Sequence, residues 1–420
     1  MTINITRLDN GLRVVTEHMT GVSSASLGLW VEAGSRSEKE QENGVAHFLE
    51  HMAFKGTSKR SAQQISSEIE SVGGYLNAYT SRERTAYYAR VLSEHVPLAI
   101  DIISDIIVNS VYDDRDIEVE RGVIIQEINQ SADVPDNIIF DWAQECAFPS
   151  TSLGRPILGS IETVTSFSKD DFLKFISNHY SSDDMVFSAA GDVDHAKVVD
   201  LARKAFEGLK VRTRPKEENI AYVGGELHKV KELEQAHVVL GFPGLSYCDD
   251  DRYVNRVYTT ILGGGMASRL FQNVREKLGL CYSIYASSLS YRDTGKLYVY
   301  AGTSGDQLSQ LLEVVSKEIK ELAKSVDQCE IERAKNQLKA MLLMRLESVP
   351  SRCERLSSHL MSFGRIYSIQ EIRDEIDAVT RDRVVAYATG LLSSGKPTLV
   401  TYSSEVGDID LGAIQSFLAA

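Results

Sequence analysis

The chain has 420 residues, 43% hydrophobic and 25% charged, with a formal net charge of −14; this is the composition of a folded globular protein, and at this length two domains are expected rather than one oversized core. The acidic balance argues against a nucleic-acid partner, whose phosphates require Lys and Arg, and no run reaches ~18 uninterrupted apolar residues, so no membrane span is expected. Five cysteines (146, 248, 281, 329, 353), odd in number and without a CxxC pair, suit reduced thiols in a cytosol-like compartment better than a disulfide framework.

In chain order, Met1 to Leu12 reads as a strand and a turn. It lacks a basic region followed by an apolar run, so no secretory signal is expected. Ser24 to Val31 alternates as a strand does. His47-Phe48-Leu49-Glu50-His51 follows, an HxxEH order. On a helix His47 and His51 sit about 40° apart around the axis, with Glu50 about 60° from His47. Two neutral imidazoles at that spacing can hold one divalent metal. A carboxylate beside them can take a proton from water that the metal activates. Such a trio can also be no more than a solvated face. Here Val45, Phe48, Leu49, Met52 and Phe54 make the segment half buried, and buried polar groups need partners or a ligand.

Asn77-Ala78-Tyr79-Thr80 lies in an alternating segment after the Gly73-Gly74 turn. An edge strand there would present free backbone donors and acceptors to an extended peptide. Asp113 to Trp142 reads as one long helical stretch. Glu120 and Glu127 lie two turns apart on one face of it, with Val123 and Ile124 between them. A catalytic zinc takes three protein ligands. Either glutamate could be the third, and spacing alone does not choose.

Met185 to Gly191 reads as a strand. Lys210 to Asn219 is polar, charged and contains Pro215, the features of a linker. The second half repeats the order of the first. Val326 to Lys335 opens a stretch like Asp113 to Trp142, and Pro397 to Tyr402 matches Met185 to Gly191. A period near 210 residues is a duplication rather than a solenoid. No HxxEH recurs; Gly263-Gly264-Gly265 lacks both GK[ST] and GxGxxG and reads as a flexible turn before a helix. Arg275 and Tyr282, seven residues apart at a helix end and the following strand, are candidate donors to an oxyanion.

The residues Gly44 to Thr57, Asn77 to Thr80, Glu120 to Ile124, Gln126 to Ile128 and Leu270 to Tyr282 resemble the pitrilysin/insulinase-type zinc metallopeptidases. These are the inverzincins, and among them are the β subunit of mitochondrial processing peptidase and its bacterial homologues. The resemblance runs over nearly the whole chain. It implies that the last zinc ligand is a Glu about 76 residues after the second His, which selects Glu127, and that Glu120 orients a ligand. It further implies that Asn77 and Ala78 contact substrate beside a zinc cleft and that Arg275 and Tyr282 contact it near the zinc. The mitochondrial β subunit carries a Glu and an Asp that favour Arg near the cleavage site. Here those positions are Asn137 and Asp141, with Asp136 adjacent, so Asp141 remains a substrate-contact candidate and strict presequence specificity is not expected.

The expected protein is α+β, with two similar α/β-roll domains from internal duplication: a zinc-binding domain at 1–210, a linker at 211–225 and a metal-free domain at 226–420. The expected activity is zinc endopeptidase, one Zn2+ per chain, held by His47, His51 and Glu127 with Glu50 as general base. The alternative is a non-catalytic partner or scaffold subunit, whose mark would be a broken HxxEH. The expected substrate is an extended peptide or precursor segment. The larger members of the family are single chains of four repeats, so two repeats imply a homodimer, or a heterodimer with a related subunit, with Arg275 and Tyr282 supplied across it. The expected location is a bacterial cytoplasm, with the mitochondrial matrix second.

Overall fold

Both halves of the chain build the same sheet. The computed structural model describes residues 2–213, 215, 218–405 and 409–420, so Arg214, Lys216 and Glu217 of the expected linker lie outside the described residues. In the first unit, β1 (Thr2–Arg7), β2 (Arg13–His18), β3 (Ser24–Val31), β4 (Tyr75–Thr80), β5 (Thr85–Leu92) and β6 (Met185–Gly191) are ordered β1-β2-β6-β3-β5-β4. In the second, β7 (Gly225–Val230), β8 (Ala236–Gly244), β9 (Cys281–Ser290), β10 (Gly295–Thr303) and β11 (Thr398–Ser403) are ordered β7-β11-β8-β10-β9.

Set β1 aside and the two orders coincide. β2 and β6 pair in parallel, as β7 and β11 do, and every other pair is antiparallel. The fold is α+β and carries the mark of the duplication in its connectivity. Each sheet ends on a strand whose outer edge is unpaired among the described residues: β4 in one unit and β9 in the other.

Helices cover the sheets through apolar stripes. Val96–Val108 buries Ala99, Ile100, Ile102, Ile103 and Ile106 in the first core; Leu308–Lys324 buries Leu311, Leu312, Val315, Ile319 and Leu322 in the second. Where one long helix was expected over Asp113 to Trp142, there are two, Asp114–Asp133 and Pro135–Ala147. Pro135 explains the break. It has no amide to give to the preceding turn, and it holds Val134 extended. Gly263 is the last residue of the Arg252–Gly263 helix rather than part of a free turn. A Cβ there would lie 2.3 Å from the Ala286 amide nitrogen, so close packing on β9 requires glycine.

The compact units do not follow a division of the chain at 210 and 226. The first takes residues 1–130, 155–218 and 343–366; the second takes 131–154, 219–342 and 367–420. Each therefore includes one helix from the other half of the sequence. In the first unit, Val349–Phe363 lies on β2, β3 and β6, with Cys353, Leu356, Leu360 and Met361 packed on Val15, Trp30, Val186 and Ala190. The Ser188 hydroxyl donates to the Cys353 carbonyl at 2.8 Å, and the buried Glu17 carboxylate pairs with Arg352. In the second unit, Pro135–Ala147 lies on β7, β8 and β11, with Ile139 and Ala143 among Val239, Val400 and Tyr402. Apolar surface on both faces of each sheet is what demands these extra helices. No helix among the described residues is long and apolar enough to cross a membrane.

Candidate active site

The helix Val45–Met52 carries His47, Glu50 and His51. Gly44 precedes it with φ 98°, a left-handed conformation that favours glycine. A Cβ at Gly44 would also lie 2.8 Å from the Leu158 carbonyl oxygen. The first amides of the helix need acceptors, and the buried Glu38 carboxylate supplies them, accepting from the Gly44 and Ala46 amides and from Asn43 Nδ2, all at 2.9 Å. Phe48 anchors the apolar face, its ring centre 5.0 Å from that of Phe172.

The Asp114–Asp133 helix brings the carboxylates. It is docked by Arg121, which donates to the Phe167 carbonyl at 2.8 Å and lies over the Phe48 ring at 5.9 Å. Glu127 Oε2 comes within 3.6 Å of His47 Nε2 and 3.5 Å of His51 Nε2. The ligand atoms of these three residues all lie within 4.8 Å of one another. Tetrahedral zinc with bonds of about 2.0–2.1 Å sets its donors about 3.3 Å apart, so two imidazole nitrogens and one carboxylate oxygen here fit that ion in both kind and spacing.

His51 has a second partner. Its Nδ1 faces Glu120 Oε2 at 3.0 Å, and the other Glu120 oxygen pairs with Lys55 Nζ. Donation from Nδ1–H to Glu120 leaves the Nε2 lone pair of His51 directed at the centre, a common arrangement around metal-binding histidines. His47 is 7% exposed; burial, reinforced by His51, pushes its pKa down to about 4, which keeps it neutral. Burial acts downward on His51 too, but the Glu127 and Glu120 carboxylates outweigh it and the net direction is up. Glu127 is held below its usual range, chiefly by its closeness to His51. Glu50 goes the other way. Burial raises it while hydrogen bonding to Thr80 opposes the rise, and its Oε2 has no hydrogen-bond partner. A raised carboxyl with a lone pair to spare is suited to taking up and giving back a proton.

Asn77 and Ala78 lie on β4, the edge strand beside this helix, and the Thr80 hydroxyl donates to the Ala46 carbonyl at 3.4 Å. The Ala78 amide donates to the side-chain oxygen of Asn77 at 2.8 Å. Glu120, Glu127, Glu50 and both histidines thus share one site in the first unit, with the edge strand beside it. Arg275, Tyr282 and Asp141 belong to the second unit. Arg275 sits in a π-helical turn, Phe271–Glu276, and Tyr282 on the edge strand β9. The Arg275 guanidinium lies 5.5 Å from the Tyr282 ring centre, and Tyr282 is 79% exposed. Asp141 is half-buried on Pro135–Ala147. Glu38, Lys55 and the Thr80–Glu50 contact were not singled out from sequence. Only Lys55, four residues after His51, left a periodic trace that could have been followed.

The model of the insulinase (peptidase M16) family matches residues 13–161, and that of the peptidase M16 inactive domain matches residues 166–338. An uncharacterized zinc protease of Rickettsia felis is 41% identical over 97% of this chain and 98% of its own. The human mitochondrial-processing peptidase subunit beta is 36% identical over 94% of this chain and 83% of its own. Among solved structures, a peptidase M16 inactive domain from Pseudomonas fluorescens has a TM-score of 0.90 over 97% of this chain and 98% of that one; at 18% identity it speaks to fold.

Proposed function

The chain belongs to the insulinase (peptidase M16) family, and from that premise we propose that it is a zinc-dependent endopeptidase acting on extended peptides or precursor segments. The observation that carries the proposal is the convergence of His47 Nε2, His51 Nε2 and Glu127 Oε2, with Glu50 alongside. His47, His51 and Glu127 would hold one zinc per chain. The ion, when bound, acidifies water and polarises the scissile carbonyl.

The chain's own groups divide the remaining work. Glu50 takes the proton of the attacking water and returns a proton to the leaving amine. Asn77 and Ala78 bind the peptide backbone at the edge of β4. Arg275 and Tyr282 donate to the carbonyl oxygen as it gains negative charge. Asp141 contacts substrate and gives a mild preference for basic side chains. The working form is a homodimer in which each zinc site is completed by Arg275 and Tyr282 of the other copy. The five free cysteines suit a reducing, cytoplasmic setting. A scaffold role finds less support, because every donor that such a role could discard is still in place.

Metal analysis together with peptide cleavage tests this. About one zinc per chain is expected, with activity lost to a chelator and restored by zinc. Purified protein that holds no zinc, and whose cleavage ignores chelators, refutes the proposal.

A further inference from the structure

Glu120 has two carboxylate oxygens, and they face different residues. Oε2 meets Nδ1 of His51 at 3.0 Å, and Oε1 pairs with Nζ of Lys55. The Glu120 side chain is only 5% exposed. A carboxylate that deeply buried is costly without full pairing, and with one side unrestrained it could rotate away from His51. The Lys55 side chain is 32% exposed. The pair is therefore anchored in the interior at one end rather than being an ion pair on open surface, where little would be gained.

The turn that delivers Lys55 is fastened on its far side. The Lys55 amide donates to the Met52 carbonyl at 3.1 Å. Two residues on, the Thr57 hydroxyl donates to Asp105 Oδ2 at 2.7 Å, and Arg60 donates to the same oxygen at 3.0 Å. Asp105 is fully buried. The Ser58 amide donates to the Asn109 carbonyl at 2.9 Å, and Thr57 bridges to Ser110. The lysine thus projects from a braced segment that joins the end of the histidine helix to the Val96–Val108 helix.

We propose that Lys55 is a positioning residue for the metal site: by holding the Glu120 carboxylate against His51 Nδ1, it fixes which imidazole nitrogen carries the proton and so sets how tightly the chain holds zinc. The inference rests on the zinc reading above. With the proton on Nδ1 and donated to Glu120, Nε2 is free to ligate and lies 3.5 Å from Glu127 Oε2. If the carboxylate swings away, the proton is free to move to Nε2, and a protonated nitrogen cannot bind a metal. The two helices that supply all three ligands are also stapled by this relay, because Lys55 and His51 lie on the side of one and Glu120 on the other.

Zinc affinity, measured by competition with a chromogenic chelator, tests the relay without reference to turnover. Lys55→Met should weaken zinc binding by about 10-fold or more, within the roughly 10–100-fold typical when a group behind a metal ligand is lost. Lys55→Arg, which keeps the charge and the donors, should recover most of that loss. In a Glu120→Gln background, Lys55→Met should change the affinity by no more than about twofold, because its only route to the metal is gone. The metal-free Lys55→Met variant should melt below the parent, because Glu120 loses a buried partner, and Lys55→Arg close to it; affinities read well below both melting temperatures separate positioning from unfolding. Lys55→Met binding zinc as tightly as the parent, or losses that simply add in the double variant, overturn the proposal. A parent protein that binds no zinc removes the zinc reading itself, a distinct result.

Discussion

The Glu38 carboxylate and the Ala46 amide are joined by a 2.9 Å hydrogen bond, so the helix bearing both histidines is capped by a side chain that precedes it. Burial pushes Glu38 up to about 8, against the pull of its hydrogen bonds to Ala46, Asn43 and Gly44. Between the ordinary carboxyl value of 4.5 and about 8, the folded protein keeps a proton that the unfolded chain has released. The contribution of Glu38 is therefore full below that window and is lost as pH rises through it. Glu38→Gln should flatten the fall in melting temperature between about pH 5 and 8. Parallel curves for variant and parent over that range contradict the assignment.

Glu50 and Glu127 should separate under mutation. Glu50→Gln should retain zinc and lose about 10²–10⁴-fold in kcat, the usual cost of removing a positioned general base. Glu127→Gln should lose metal. Zinc content and single-turnover cleavage, measured on the same preparations, decide between the roles. A metal-free Glu50→Gln protein, or a fully loaded Glu127→Gln protein, reverses them.

The edge strand can be probed at a single amide. Ala78→Pro deletes the donor that now meets the Asn77 side chain, and proline is tolerated on edge strands. One lost peptide hydrogen bond should raise KM about 3–10-fold, with kcat and zinc content little changed. Unaltered kinetics with a peptide several residues long would show that substrate does not pair there.

Sharing of sites between copies predicts complementation. Glu50→Gln and Arg275→Ala are each expected to be nearly inactive. After subunit exchange, a mixed dimer joins one intact zinc centre to one intact Arg275, so part of the activity should return. If exchange is demonstrated by mass and the mixture stays silent, Arg275 acts within its own chain. A fully active monomer removes the dimer from the mechanism.

Much of the site was legible because its signals are local. The spacing of His47, Glu50 and His51 belongs to one helical turn, and Glu120 and Glu127 to one face of another helix. Spacing could not choose between those two glutamates; the resemblance did, and in the structure the two stand on opposite sides of His51. Glu38 and the Thr80–Glu50 contact were silent because they depend on contacts that form only after the chain folds back, and Lys55 left no more than its spacing from His51. The single helix expected over Asp113 to Trp142 overlooked Pro135, a local signal that outranks apolar periodicity. The exchanged helices were illegible for a deeper reason. An amphipathic stripe says that a helix must cover something, without saying which sheet.

The exchange of helices bears on how the protein is made. A ribosome releases the strands of the first sheet well before it releases Val349–Phe363, so Val15, Trp30 and Val186 wait uncovered while some 150 further residues are synthesised. Pro135–Ala147 likewise emerges long before the strands it covers. Neither unit has all of its elements until late in translation. A gene cut between residues 218 and 219 would then yield two fragments that are sticky apart and rescue one another when produced together, each carrying the helix that the other lacks.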